Sequence, residues 1–128
     1  MLNIDAPNHY RDKAYCWDSV KLEMQEFQRS KTVLGGNLNL IRNIEEKMGG
    51  KYFIDPSRAA LEEIIEAHKL IDIPPCNGKF TWSNKRLGTH NIKERLDRIL
   101  IHESIAARFS SIKARSSMPQ LQITNLWF

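Results

Sequence analysis

The sequence predicts an α+β fold, a mixed β-sheet with helices packed on it. Three observations lead there. Short apolar runs suited to strands recur at "LNIDAP", "KTVL", "LIDIPP", "GKFTWS" and "ERLDRILIH". Segments with apolar residues at helical spacing separate the early runs, and strands cluster later. The 128 residues suffice for one core and are too few for two.

Each element has a local reason. Residues 2–7 read as a strand leading into Ala6-Pro7. From Asp12 to Gln28, Trp17, Val20, Met24 and Phe27 fall on one helical stripe. Thr32-Val33-Leu34 reads as a short buried strand, which Gly35-Gly36 is expected to end. Asn37-Leu38-Asn39 then presents two amides, one on each side of Leu38. "IRNIEEKMGG" reads as a polar loop closed by Gly49-Gly50. Asp55 can cap a second helix with Pro56 at its first position, and Ala60, Leu61, Ile64 and Ile65 form its buried face. "LIDIPP" is a strand stopped by prolines, and "GKFTWSNKR" and "ERLDRILIH" are strands joined around "LGTHN". "ESIAARF" reads as a short helix and "SIKAR" as a further strand.

Net charge is +4, which permits a polyanionic partner. Residues 79–98 hold Lys79, Lys85, Arg86, Lys93, Arg95 and Arg98 against Glu94 and Asp97, so one basic face is expected. No apolar run reaches the roughly 18–20 residues of a membrane helix. No apolar stretch follows a basic start at the N-terminus. These features predict an intracellular protein, nuclear or cytoplasmic, that is not secreted and has no membrane partner. Cys16 and Cys76 lack metal-site spacing and are expected as reduced thiols.

Four segments carry a family likeness: "NIDAPN" (3–8), "LGGNLNLIRN" (34–43), "NGKFTWSNKR" (77–86) and "NIKERLDRILI" (91–101). Their order and rough spacing resemble the endonuclease/exonuclease/phosphatase family, and most closely the endonuclease domain of plant LINE-type non-LTR retrotransposons. There the matching stretches read like N-x-Y-A-P-N, G-G-D-F-N-L-I-R, N-G-x-F-T-W-x-N-x-R and E-R-L-D-R. The resemblance spans nearly all of residues 1–115. It implies a partial four-layer α/β sandwich, two mixed sheets flanked by helices, truncated at both ends. It also implies DNA as partner and hydrolysis of phosphodiesters with a divalent metal, usually Mg2+.

Carried over residue by residue, the resemblance places Asn39 and Asp97 at family catalytic positions. Asn37 stands where the family has the aspartate of G-D-F-N. An amide cannot serve as a base. Asp5 stands where the family has tyrosine. The family's early glutamate strand would lie before Met1. No S-D-H motif follows, since His9, His68, His90 and His102 lie outside such a context. The expectation is a degenerate endonuclease domain with little or no hydrolysis that does not bind Mg2+. The alternative is a non-catalytic nucleic-acid-binding remnant using the basic hairpin 79–98, with Lys79, Trp82, Lys85, Arg86, Lys93 and Arg95 as its contacts.

Residues 116–128 are expected to be an aberrant tail. The codons of "LQIT" (121–124), read from the third base, can spell Ser-Asp-His, as a frameshifted copy of the family's last strand would. Leu126, Trp127 and Phe128 would then never have been selected as protein.

Several residues also have plainer readings. Asn37 and Asn39 could be turn residues, although the resemblance favours a decayed pair. Asp97 is expected to pair with Arg95, Arg98 or Lys93 rather than orient a histidine. Trp82 reads equally as core or as a stacking surface. Glu62, Glu63 and Glu66 read as an outer helix face without a metal role, and His68 and His102 as incidental.

Overall fold

A computed structural model describes residues 2–26, 31–108, 112–117 and 120–124. Phe27 and Gln28 of the first helix, and Leu126, Trp127 and Phe128 of the tail, lie outside them. The chain runs β1 (Leu2–Asp5), α1 (Tyr10–Met24), β2 (Val33–Asn37), a 3-10 turn at Ile44–Glu46, β3 (Lys47–Met48), α2 (Arg58–Ala67) and β4 (Leu70–Asp72). It continues through β5 (Trp82–Ser83), a 3-10 turn at Gly88–His90, β6 (Lys93–Glu94), β7 (Asp97–His102), α3 (Glu103–Arg108), β8 (Lys113–Ser117) and β9 (Gln120–Thr124).

The fold is α+β. One four-stranded mixed sheet has the order β1-β2-β7-β4, with β1 parallel to β2 and the remaining pairs antiparallel. A three-stranded antiparallel sheet has the order β3-β6-β5. Part of the expected aberrant tail forms β9, which pairs with β8 in register from Lys113↔Thr124 to Ser117↔Gln120.

Side chains alternate across a strand, so each face of the four-stranded sheet carries its own apolar cluster. On one face Ile4, Leu34, Leu70 and Leu100 meet Trp17, Val20 and Met24 of α1 and Leu61 and Ile64 of α2. Burying each such side chain contributes about 1.5–3 kcal/mol. On the other face Val33, Ile99 and Ile101 meet Ile105 of α3 and Ala114 of β8.

Three expectations are corrected. The strand does not end at Gly35-Gly36; β2 runs through both to Asn37. A Cβ on Gly36 would sit 2.0 Å from the Ile4 carbonyl oxygen, so glycine here lets β1 approach closely. The run "ERLDRILIH" is two strands in different sheets, and between them the Leu96 N–H bonds the Thr81 hydroxyl at 2.9 Å instead of a strand partner. Pro56 precedes α2, whose N-cap is Ser57, and Asp55 accepts the Ser57 N–H at 2.8 Å.

Candidate nucleic-acid interface

The registers of β1, β2 and β7 set Asp5 beside Asn37 and Asn37 beside Asp97. Two carboxylates and an amide thus form a row at one end of the sheet. Asn37 Oδ1 accepts the Asn39 N–H at 3.0 Å. Asn39, with φ 52°, turns the chain away from the strand. Its Nδ2 donates to the Ala6 carbonyl at 2.5 Å, which fixes the orientation of the amide.

Thr81 holds the β7 end of the row. Its buried hydroxyl accepts the N–H groups of Leu96 at 2.9 Å and Asp97 at 3.0 Å, and it bonds the Asp97 side chain. Burial pushes the Asp97 carboxyl above its ordinary value. The Thr81 bond opposes that rise, and the charge of Asp5 adds to it. Asp97 does not pair with Arg95, Arg98 or Lys93 as expected, because both arginines are committed elsewhere.

Arg95 and Arg98 lie inside the protein. Arg98 is fully buried, and Arg95 is 8% exposed. Arg98 bonds both oxygens of Glu46, one of them at 2.8 Å, and Asp72 at 2.7 Å. Arg95 reaches Glu46 at 3.1 Å and Asp72 at 2.5 Å. Arg42 adds a two-point pair with Glu62 at 2.6 and 2.8 Å. Glu62 is therefore more than an outer-face residue. The basic stretch 79–98 splits accordingly, with Arg95 and Arg98 structural, Lys93 half-buried, and Lys79, Lys85 and Arg86 exposed.

The exposed part is firmly built. Between β5 and β6 the Asn84 amide donates to the His90 carbonyl at 2.8 Å and accepts from Arg86 N at 3.1 Å and Ile92 N at 2.9 Å. Asn91 Nδ2 bonds Ser83 Oγ at 3.2 Å. This bracing presents Lys85, Arg86 and an 89% exposed Leu87. Trp82 is 40% exposed and follows Thr81 directly, so it lies at the surface rather than in the core. Lys79 lies 6.0 Å from the centre of the Phe80 ring.

Sequence reasoning missed a cleft of about 450 Å³ beside the row. Its walls include Asn8 and His9 at the start of α1, Lys13, Asn39, Phe53 and Leu96. Lys13 is 4% exposed, and its ammonium donates to the Asn39 carbonyl and to Asp55, each at 2.5 Å. Its helical position one turn before the buried Trp17 is the only local signal of that burial.

The side chains of the row offer oxygen donors, the kind that Mg2+ takes. Magnesium wants near-octahedral oxygen ligands. The row offers two carboxylates around an amide. Among the described residues no group of three or more His, Cys, Asp or Glu side chains is placed to hold a metal ion. His102 is at the opposite end of β7 from Asp97, and His90 is in the braced loop. Cys16 and Cys76 are free thiols. Among the described residues no helix is long and apolar enough to cross a membrane. No protein-family model matches the chain, and no curated protein matches it.

Proposed function

We propose that this chain is an endonuclease-like domain of the endonuclease/exonuclease/phosphatase type, of plant retrotransposon ancestry, that has lost hydrolysis and binds DNA. The observation that carries this reading is the juxtaposition of the Asp5-Asn37-Asp97 row with exposed Trp82 and the braced loop bearing Lys85 and Arg86. Thr81 joins the two parts, because one side chain anchors Asp97 and precedes Trp82.

Phosphodiester cleavage needs an activated water, charge neutralisation and donors at the oxyanion. Asn37 cannot take a proton. The half-buried Asp97 is bonded to Thr81 rather than to a histidine. Loss of one such group commonly costs a factor of about a hundred or more. Binding has a better footing, since exposed lysine and arginine neutralise phosphates and an exposed indole stacks on bases.

Two assays test the reading together. Fluorescence anisotropy with a labelled duplex at several salt concentrations should show weak, steeply salt-dependent binding. The Lys85→Glu/Arg86→Glu variant should weaken it and flatten the salt slope by about one for each phosphate no longer neutralised. A supercoiled plasmid with Mg2+ should stay intact. Magnesium-dependent nicking abolished by Asp97→Ala would overturn the loss of hydrolysis. Unchanged affinity in the double variant would overturn the role of the loop.

A further inference from the structure

We propose that the cleft between the start of α1 and Phe53 receives one unpaired nucleobase of a bound strand. The inference rests on the DNA-binding reading and names the form of nucleic acid preferred: one that offers a base outside the duplex stack.

Size and walls agree. The cleft of about 450 Å³ lies within the roughly 300–1,000 Å³ of small-ligand pockets. Leu40, Ile41 and Leu96 give it a buried apolar floor. Phe53 forms one wall and is 65% exposed, a large ring kept at the surface. Every base has a face that can stack on such a ring.

The polar groups favour a base over a phosphate. The two ammonium groups lining the cleft are already neutralised, Lys13 by Asp55 and Lys47 by Glu94 at 2.7 Å. No surplus positive charge remains there for an anion. Lys51, two residues before Phe53, is exposed and can meet the strand's phosphates outside. The amides read edges instead. Asn39 Nδ2 is held by the Ala6 carbonyl, so its Oδ1 is left as an acceptor with no partner among the described residues. The Asn8 amide is likewise unpartnered among the described residues, and it can both donate and accept. Position agrees too, because Leu96 precedes Asp97 and Asn39 follows Asn37 by two, so the cleft borders the row.

The test uses the full chain and a short single strand carrying 2-aminopurine, whose fluorescence falls on stacking, beside a fully paired duplex of equal length. The expected result is quenching on binding. Phe53→Ala should weaken single-strand binding about tenfold and leave duplex binding within about twofold, and Phe53→Trp should restore the loss. Phe53 is exposed, so neither substitution opens a core cavity. Absence of quenching, or an equal loss on both nucleic acids in Phe53→Ala, would overturn the inference. Adenosine monophosphate binding as tightly as the strand would overturn the assignment to a strand. Duplex binding without single-strand binding would sink the inference and leave the DNA-binding reading standing. Binding of neither would sink both.

Discussion

Asp97 and Arg98 are neighbours on β7, yet they belong to regions that treat charge in opposite ways. On the helix side, Glu46 and Asp72 are surrounded by guanidinium groups from Arg95 and Arg98, and Asp72 also meets Arg42. Burial works to raise the Glu46 carboxyl. The hydrogen bond and charge of Arg98, the Arg42 N–H and the charge of Arg95 outweigh it and hold the carboxyl below its ordinary value. At the strand end, Asp97 is lifted by burial and by Asp5. Among the described residues neither Asp5 nor Asp97 bonds a cation. A charge matched by its surroundings supports the fold. A half-buried charge left unmatched at a sheet end costs stability.

The largest break in this contrast is Arg98→Ala. It strands Glu46 and Asp72 without their main partner and should cost about 3–5 kcal/mol in urea unfolding. The Arg98→Met/Glu46→Gln pair should recover part of that, since the uncompensated charge is reduced.

Gly36→Ala is next. Its φ of +130° and the nearby Ile4 carbonyl force β1 away, at roughly 1–3 kcal/mol for the backbone conformation alone. Asp5 would move off with β1, so the Asp97 carboxyl should fall toward its ordinary value. Carboxyl NMR shifts against pH would read this, and an unmoved Asp97 would show that Asp5 is not a cause.

The smallest effects separate the regions by pH. Glu46 titrates lower folded than unfolded, so its stabilisation is full above its ordinary 4.5 and is lost as pH falls through the folded value. Glu62, held down chiefly by its Arg42 hydrogen bond, acts the same way. Asp97 titrates higher folded, so its contribution is full below its ordinary 3.8 and is lost as pH rises through the raised value. Asp97→Asn should therefore stabilise the protein slightly at neutral pH, by an amount that solvent screening keeps small. Destabilisation there would mean that the Thr81 bond outweighs the burial of the charge.

Legibility in the sequence followed locality. The stripe Trp17, Val20, Met24 and the face Leu61, Ile64 are set by spacing within one helix, and both are buried as that spacing demands. The partners of the charges are not local. Lys13 finds Asp55 42 residues on, and Glu46 finds Arg95 and Arg98 49 and 52 residues on. A lysine or arginine in a sequence reads as solvent-facing, so the basic stretch looked like one face when Arg95 and Arg98 are interior. The split of β6 from β7 left no trace, because it is made by a distant side chain, the Thr81 hydroxyl that takes the Leu96 N–H. The cleft left no trace, because Asn8, Lys13, Asn39 and Phe53 come from separate stretches that only the folded sheet end brings together.

The hydroxyl of Thr81 has a consequence for both the position and the acidity of Asp97. Both of its lone pairs are taken by the N–H groups of Leu96 and Asp97. Its own hydrogen remains for the Asp97 carboxyl, and that bond favours the charged form. One side chain thus sets where the Asp97 backbone sits and also opposes the rise of its carboxyl, so a change at Thr81 would move position and acidity together.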